Sequence, residues 1–115
     1  MGFLAALTDA RDQLEDADIT AVLDPRDLAT LPGVWLRLAA LRGPTLEAQY
    51  SVAQTWVYCV VAPLDGERDL AALETHLAAV AAVIPPMTDP ELVALALPGG
   101  GTPAPALRYT HDLTI

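Results

Sequence analysis

Two histidines, one cysteine and one serine are the side chains of this sequence most ready to act as ligands, bases or nucleophiles. They do not gather into a constellation. His76 follows Glu74 and Thr75 in a helical stretch, and His111 lies far away near the end of the chain. No H-x-x-x-H or C-x-x-C spacing holds them ready for a metal. Both read as surface or interface residues. Cys59 precedes Val60 and Val61, an apolar setting without the positive charge that lowers a thiol pKa, so it reads as a small core residue. Ser51 lacks a G-x-S-x-G turn. Gly99-Gly100-Gly101 lacks the Lys-Ser/Thr of a phosphate loop, and no helix follows it. It reads as a mobile hairpin loop. Asp9, Asp12, Glu15 and Asp16 do not have the spacing of a calcium loop, so they read as the solvated or partner-facing side of a helix. Trp35, Tyr50, Trp56 and Tyr58 fall in strand-like stretches without basic neighbours in the sequence. They are expected at the core or a subunit contact rather than as a base-stacking platform. No set of residues supports catalysis, and none calls for a cofactor or metal.

The elements that carry these residues follow from apolar spacing. Residues 2 to 16 predict a helix with Phe3, Leu4, Leu7 and Leu14 on one face and Ala10 between them. Residues 18 to 23 predict a short strand, ended by Asp24-Pro25-Arg26-Asp27. After the Leu31-Pro32-Gly33 turn, residues 34 to 38 alternate as a strand. Val34, Leu36 and Leu38 share one face, Trp35 and Arg37 the other. Arg42-Gly43-Pro44 is a turn, and residues 49 to 62 give the longest strand signal. Its second half is apolar on both parities, as in a central strand covered on each side. A second helix runs from about Glu67 to Ile84, with Asp65 as N-cap and a stripe of Leu70, Leu73, Leu77, Val80, Ala81 and Ile84. Pro85-Pro86 ends it. Residues 91 to 97 and 106 to 115 are the last two strands. The final strand sets Leu107, Tyr109, His111 and Leu113 against a wetter face of Arg108, Thr110, Asp112 and Thr114. The expected fold is a single α+β domain over residues 1–115, in the order α-β-β-β-α-β-β. It is a two-layer sandwich with a mostly antiparallel five-stranded sheet and both helices on one face.

Composition narrows the function classes. The chain has 115 residues, 53% of them apolar, and a formal net charge of -9. A chain of this size buries about two-thirds of its unfolded surface, enough for one modest core. Its six cations are all arginine, set against fifteen acids. Such a balance disfavours phosphate-seeking and anionic-membrane roles. One cysteine cannot form an internal disulfide. The start, Met1-Gly2-Phe3-Leu4, has no basic segment of a signal peptide, and no apolar run approaches the roughly 20 residues of a membrane span.

From Asp24-Pro25-Arg26-Asp27 through Leu31-Pro32-Gly33-Val34 the sequence resembles the tail terminator proteins of long-tailed bacteriophages, particularly those of actinobacterial hosts. The family pattern leads one to expect a proline pair where this chain has only Pro32. The resemblance continues through the strand ending at Val60-Val61-Ala62-Pro63 and the helix from Asp69 to Ile84. The Gly/Pro loop and the terminal Leu107-Arg108-Tyr109-Thr110 complete it. It implies a virion structural subunit that forms a closed homohexameric ring. The ring would cap the head-proximal end of the tail tube, stop its polymerisation and join it to a neck or head-completion protein. DNA would pass through the channel without specific binding. A heterologous ring needs two different complementary patches per subunit. Candidate contacts are Asp24, Arg26 and Asp27, then Trp35, Arg37 and Gln54, the loop Gly99, Gly100 and Gly101, and finally Arg108 and His111. Arg26 has two readings: a bridge to a neighbour's acid, or a local pair with Asp24 or Asp27. The alternatives in function are a head-tail connector or head-closure protein, or a small non-catalytic binding module of the same fold. An enzyme with a pocket between sheet and helices is the remaining class.

Overall fold

A computed structural model describes residues 2–43 and 51–115 of the chain. The sequence reading at Pro44, Gln49 and Tyr50 lies outside the described residues. The elements run α1 (Phe3–Asp16), β1 (Ala21–Val22), a 3-10 turn (Pro25–Asp27), β2 (Gly33–Arg42), β3 (Val52–Val60), α2 (Gly66–Val83), β4 (Glu91–Leu95) and β5 (Ala104–Thr114). The strands form one sheet in the order β1-β2-β3-β5-β4. Only the β1–β2 pair is parallel; the other three pairs are antiparallel. The fold is thus α+β with a five-stranded, mostly antiparallel sheet, as the element order predicts.

Both helices cover the same face of the sheet. Leu7, Ala10 and Leu14 of α1 and Val80 of α2, with Ile84 just beyond it, pack on Val34, Leu36, Val57, Cys59 and Tyr109. The period-2 alternation of β2, β3 and β5 delivers these sheet residues to one side. Their register confirms it, with Val57 opposite Leu36 on one flank and Tyr109 on the other. Thr55 shares this face and is fully buried, its hydroxyl donating to the Ala53 carbonyl at 3.2 Å. Its parity is therefore the inner one, a polar side chain satisfied within the core.

The helix stripes differ in detail from the periodic reading. In α1 the buried residues are Ala6, Leu7, Ala10 and Leu14, whereas Phe3 and Leu4 are 42% and 62% exposed. The buried stripe centres on Leu7, Ala10 and Leu14, and helical spacing sets Leu4 off to one side of it. In α2 the buried stripe begins at Leu73, and Leu70 is 60% exposed. Asp65 occupies the N-cap without a side-chain capping bond. Instead the Leu64 N–H donates to Asp69 Oδ1 at 2.6 Å, and Arg68 pairs with Asp65 at 3.7 Å.

The first strand is only two residues long because the preceding residues are used to end α1. Asp18 takes a left-handed conformation at φ 62°. Its N–H donates to the Glu15 carbonyl, and the Ile19 N–H donates to the Leu14 carbonyl, both at 3.0 Å. This is a Schellman closure with aspartate where glycine is usual. β2 is longer than residues 34 to 38, because β3 stays in register with it to Val52 across a bulge between Leu38 and Ala40. Among the described residues, no helix is long and apolar enough to cross a membrane.

Candidate functional site: the helix-free face of the sheet

The other face of the sheet has no helix on it. At one end it is closed by Leu28, Leu31 and Leu97, which pack on Tyr58, Val60, Ala104 and Ala106. Beyond that end the face carries a cross-strand row. Trp35 of β2 stands opposite Tyr58 of β3, Tyr58 opposite Arg108 of β5, and Arg108 opposite Glu91 of β4. The Trp35 and Tyr58 rings stack at 4.8 Å with 23° between their planes. Trp35 Nε1 donates to the Leu23 carbonyl at 3.3 Å, which fixes the indole's edge. The next row sets Arg37, Trp56 and Thr110 side by side.

Arginines are laid over these rings. The Arg108 guanidinium carbon lies 4.9 Å from the Trp56 ring centre, and that of Arg37 lies 5.8 Å from the Trp35 ring. Both are within reach of a cation–π attraction. The sequence reading credited the aromatics with no basic neighbours, yet Arg37, which alternation puts on the Trp35 face, lies over that ring, and strand pairing brings Arg108 to Trp56. Glu91 lies 3.7 Å from Arg108. The Tyr58 hydroxyl and the Glu91 carboxylate hold the Arg108 pKa above its ordinary value. Arg108 Nε is buried and has no hydrogen-bond partner. Farther along, Arg42 pairs with Asp112. Gln54 stands half-buried opposite Asp112. Among the described residues no carboxylate approaches Arg37 within 4 Å.

The candidate contact residues fall into four places. Trp35, Arg37, Gln54 and Arg108 share the helix-free face. Asp24, Arg26 and Asp27 lie in the turn at its closed end, where Leu28 packs on the sheet. There the Arg26 guanidinium pairs with Asp24 at 2.7 Å, and its backbone N–H donates to Asp24 Oδ1 at 2.9 Å. The side-chain bond to Arg26, followed by the backbone one, pulls the Asp24 carboxyl below the usual carboxylate range. Gly99, Gly100 and Gly101 form the β4–β5 connection, with φ of 99°, 81° and 94°. A Cβ there would meet nothing within 4 Å, so the backbone conformation and not space requires glycine. His111 stands apart on the helix side, where its Nδ1 donates to the Pro85 carbonyl at 2.7 Å.

His76 is the residue that sequence reasoning misplaced. It is 8% exposed, not a surface residue, and Nε2 donates to the Gly33 carbonyl at 2.8 Å. It fills the α2 stripe between Leu73 and Val80. Burial pushes its pKa below the ordinary imidazole value, partly offset by that hydrogen bond. The signal that could have found it is its position at i+3 from Leu73 on the apolar stripe. A cleft of about 800 Å³ opens beside it, lined by Thr20, Thr30, Pro32, Ala72 and Thr75 among others. Cys59 is fully buried and desolvation pushes its thiol up to about 12, so it is inert as a nucleophile at neutral pH. Among the described residues, no three His, Cys, Asp or Glu side chains lie close enough to hold a metal ion. The sequence matches no protein-family model, and no curated protein is significantly similar to it.

Proposed function

We propose that the chain is a structural subunit that assembles with copies of itself into a ring, in the manner of the phage tail terminators it resembles. In that role the ring caps the head-proximal end of a tail tube, halts tube growth and presents a surface to a neck protein, within the virion. The observation that supports this most is the asymmetry of the sheet. One face is sealed by two helices, while the other bears both tryptophans and three of the six arginines on half-buried or exposed positions. Aromatic and arginine side chains are the types that concentrate binding energy at protein interfaces. A ring protein works by shape and contact, and this face provides contact chemistry on a flat, strand-built support. A connector or head-closure protein of the same build would assemble similarly but engage the head side instead of the tube.

Native mass spectrometry and negative-stain images of the purified protein test the reading. The expected result is a closed ring of about six copies, or binding of the subunit to the end of isolated tail tubes. A protein that stays monomeric at every concentration and never decorates a tube overturns it. The cleft beside His76 favours a second reading, a small-ligand binding module. A ligand screen by thermal shift, with hits lost in His76→Ala, would support that reading in place of the first.

A further inference from the structure

The helix-free face is unusual in its charge. It carries Arg37, Arg42 and Arg108 against Glu91 and Asp112, so it is weakly cationic on a chain whose net charge is -9. Arg42 and Arg108 have acids beside them, and Arg37 is exposed over the Trp35 ring. The face therefore offers aromatic area and, at Arg37, an exposed guanidinium with no acid beside it among the described residues, and it calls for a partner bearing carboxylates and some apolar surface.

The chain itself carries such a surface. The outer side of α1 has Asp9, Asp12 and Asp16 at i, i+3 and i+7, with Glu15 beside them, all exposed. Arg11 is the only cation on that helix and pairs with Asp12 at 3.3 Å. At its start Leu4 is 62% exposed and borders the same surface groove as Asp9 and Asp12, whereas Phe3 falls on the sheet side of the helix in line with Leu7 and Leu14. The helix layer and the helix-free face lie on opposite sides of the two-layer fold, so one copy cannot bring its own α1 to its own arginines.

We propose that the helix-free face of one copy receives the outer side of α1 from a second copy. The α1 acids then face Arg37, and Leu4, which borders the same surface groove as Asp9 and Asp12, lies against the partly exposed apolar side chains of the sheet. Because the two patches differ and sit on opposite sides, the contact is head-to-tail, the type that repeats into rings when the rotation closes. This inference rests on the self-assembly reading above and specifies which surfaces carry it.

The test uses wild type, Arg37→Glu, and the double variant Asp12→Arg with Asp16→Arg. All three positions are exposed, and unchanged thermal melting of dilute monomer shows that each variant is folded. Native mass spectrometry of wild type is expected to show a multimer. Each variant alone is expected to need at least tenfold more protein to assemble. An equimolar mixture of the two is expected to recover assembly in 1:1 composition, because an alternating arrangement makes every contact attractive again. Both tryptophans lie on the receiving face, so their emission is expected to shift to shorter wavelength as wild type assembles and to stay fixed in Arg37→Glu. If the double variant fails to fold, the Arg37→Glu mass and emission data decide alone. Variants that assemble like wild type, with the emission shift intact, overturn the inference while leaving self-assembly standing. Folded monomeric variants that do not recover on mixing overturn it as well. A wild type that stays monomeric overturns the self-assembly reading together with the inference.

Discussion

Tyr109 joins β5 to the end of α2 through one hydroxyl. Its ring is fully buried, and its O–H donates to the Ile84 carbonyl at 2.6 Å, just past the end of α2. Tyr109→Phe leaves that buried carbonyl unpaired, a change expected to cost about 1–3 kcal/mol. Urea unfolding measures it, and a loss below the error of the method would show that water replaces the bond. His76 gives a second residue-level prediction, through pH. Its folded pKa lies below the unfolded value of about 6.5, so below that pH the unfolded chain binds more protons. Stability from this residue is complete above about pH 6.5 and falls as pH drops below it. The urea midpoint is expected to decline from pH 7.5 to 5.5, and His76→Gln is expected to flatten that decline. Alternation placed Tyr109 on the apolar parity of its strand, but its bond to Ile84 follows from how α2 crosses β5, which no local pattern encodes. His76 was misread for the complementary reason. A polar residue on a helix suggests solvent until a specific acceptor, the Gly33 carbonyl, is in place beneath it.

At the scale of elements, periodicity located both helices and all five strands in order, with ends that moved where caps and register intervened. The helix α1 shows the limit most clearly. Leu4 and Leu14 fit one apolar stripe in the sequence, yet Leu14 is fully buried and Leu4 is 62% exposed. Leu14→Ala is expected to destabilise the fold by about 2–5 kcal/mol through the cavity it leaves. Leu4→Ala is expected to change folding stability by less than about 0.5 kcal/mol, as for a surface site. Chemical denaturation of dilute protein compares them, and equal losses would contradict the packing of α1 described here. The aromatic face was partly legible in the same way. Parity put Trp35 with Arg37, but the row Trp35–Tyr58–Arg108–Glu91 needs three strand registers at once. Pairing is a property of the sheet, and the sequence displays only one strand at a time.

Across the whole molecule, charge and surface chemistry pull in different directions. Tryptophans under arginines resemble the stacking platforms used for single-stranded nucleic acids. Here two of the three arginines on the face already meet Asp112 and Glu91, and the chain's net charge is -9. Retardation of single- or double-stranded DNA is expected to be absent at low salt, where phosphate binding is strongest. A shifted band that fades as salt rises would count against a protein-facing role for the sheet. That expectation rests on composition alone, whereas the cationic island within the acidic chain depends on which side chains the fold collects.

The sheet order has a consequence for how the molecule comes into being. β5 follows the other four strands in sequence, yet it lies between β3 and β4, and among the described residues β4 has no other strand partner. During synthesis α1, β1, β2 and β3 emerge first and can form a partial hairpin layer. The inner core then lacks Tyr109, and the outer face lacks Arg108, until β5 has left the ribosome. Closing the sheet requires contacts between distant parts of the chain, the feature that slows folding. The two faces therefore mature together, and neither the buried core nor the aromatic face is finished before β5 has paired with β3.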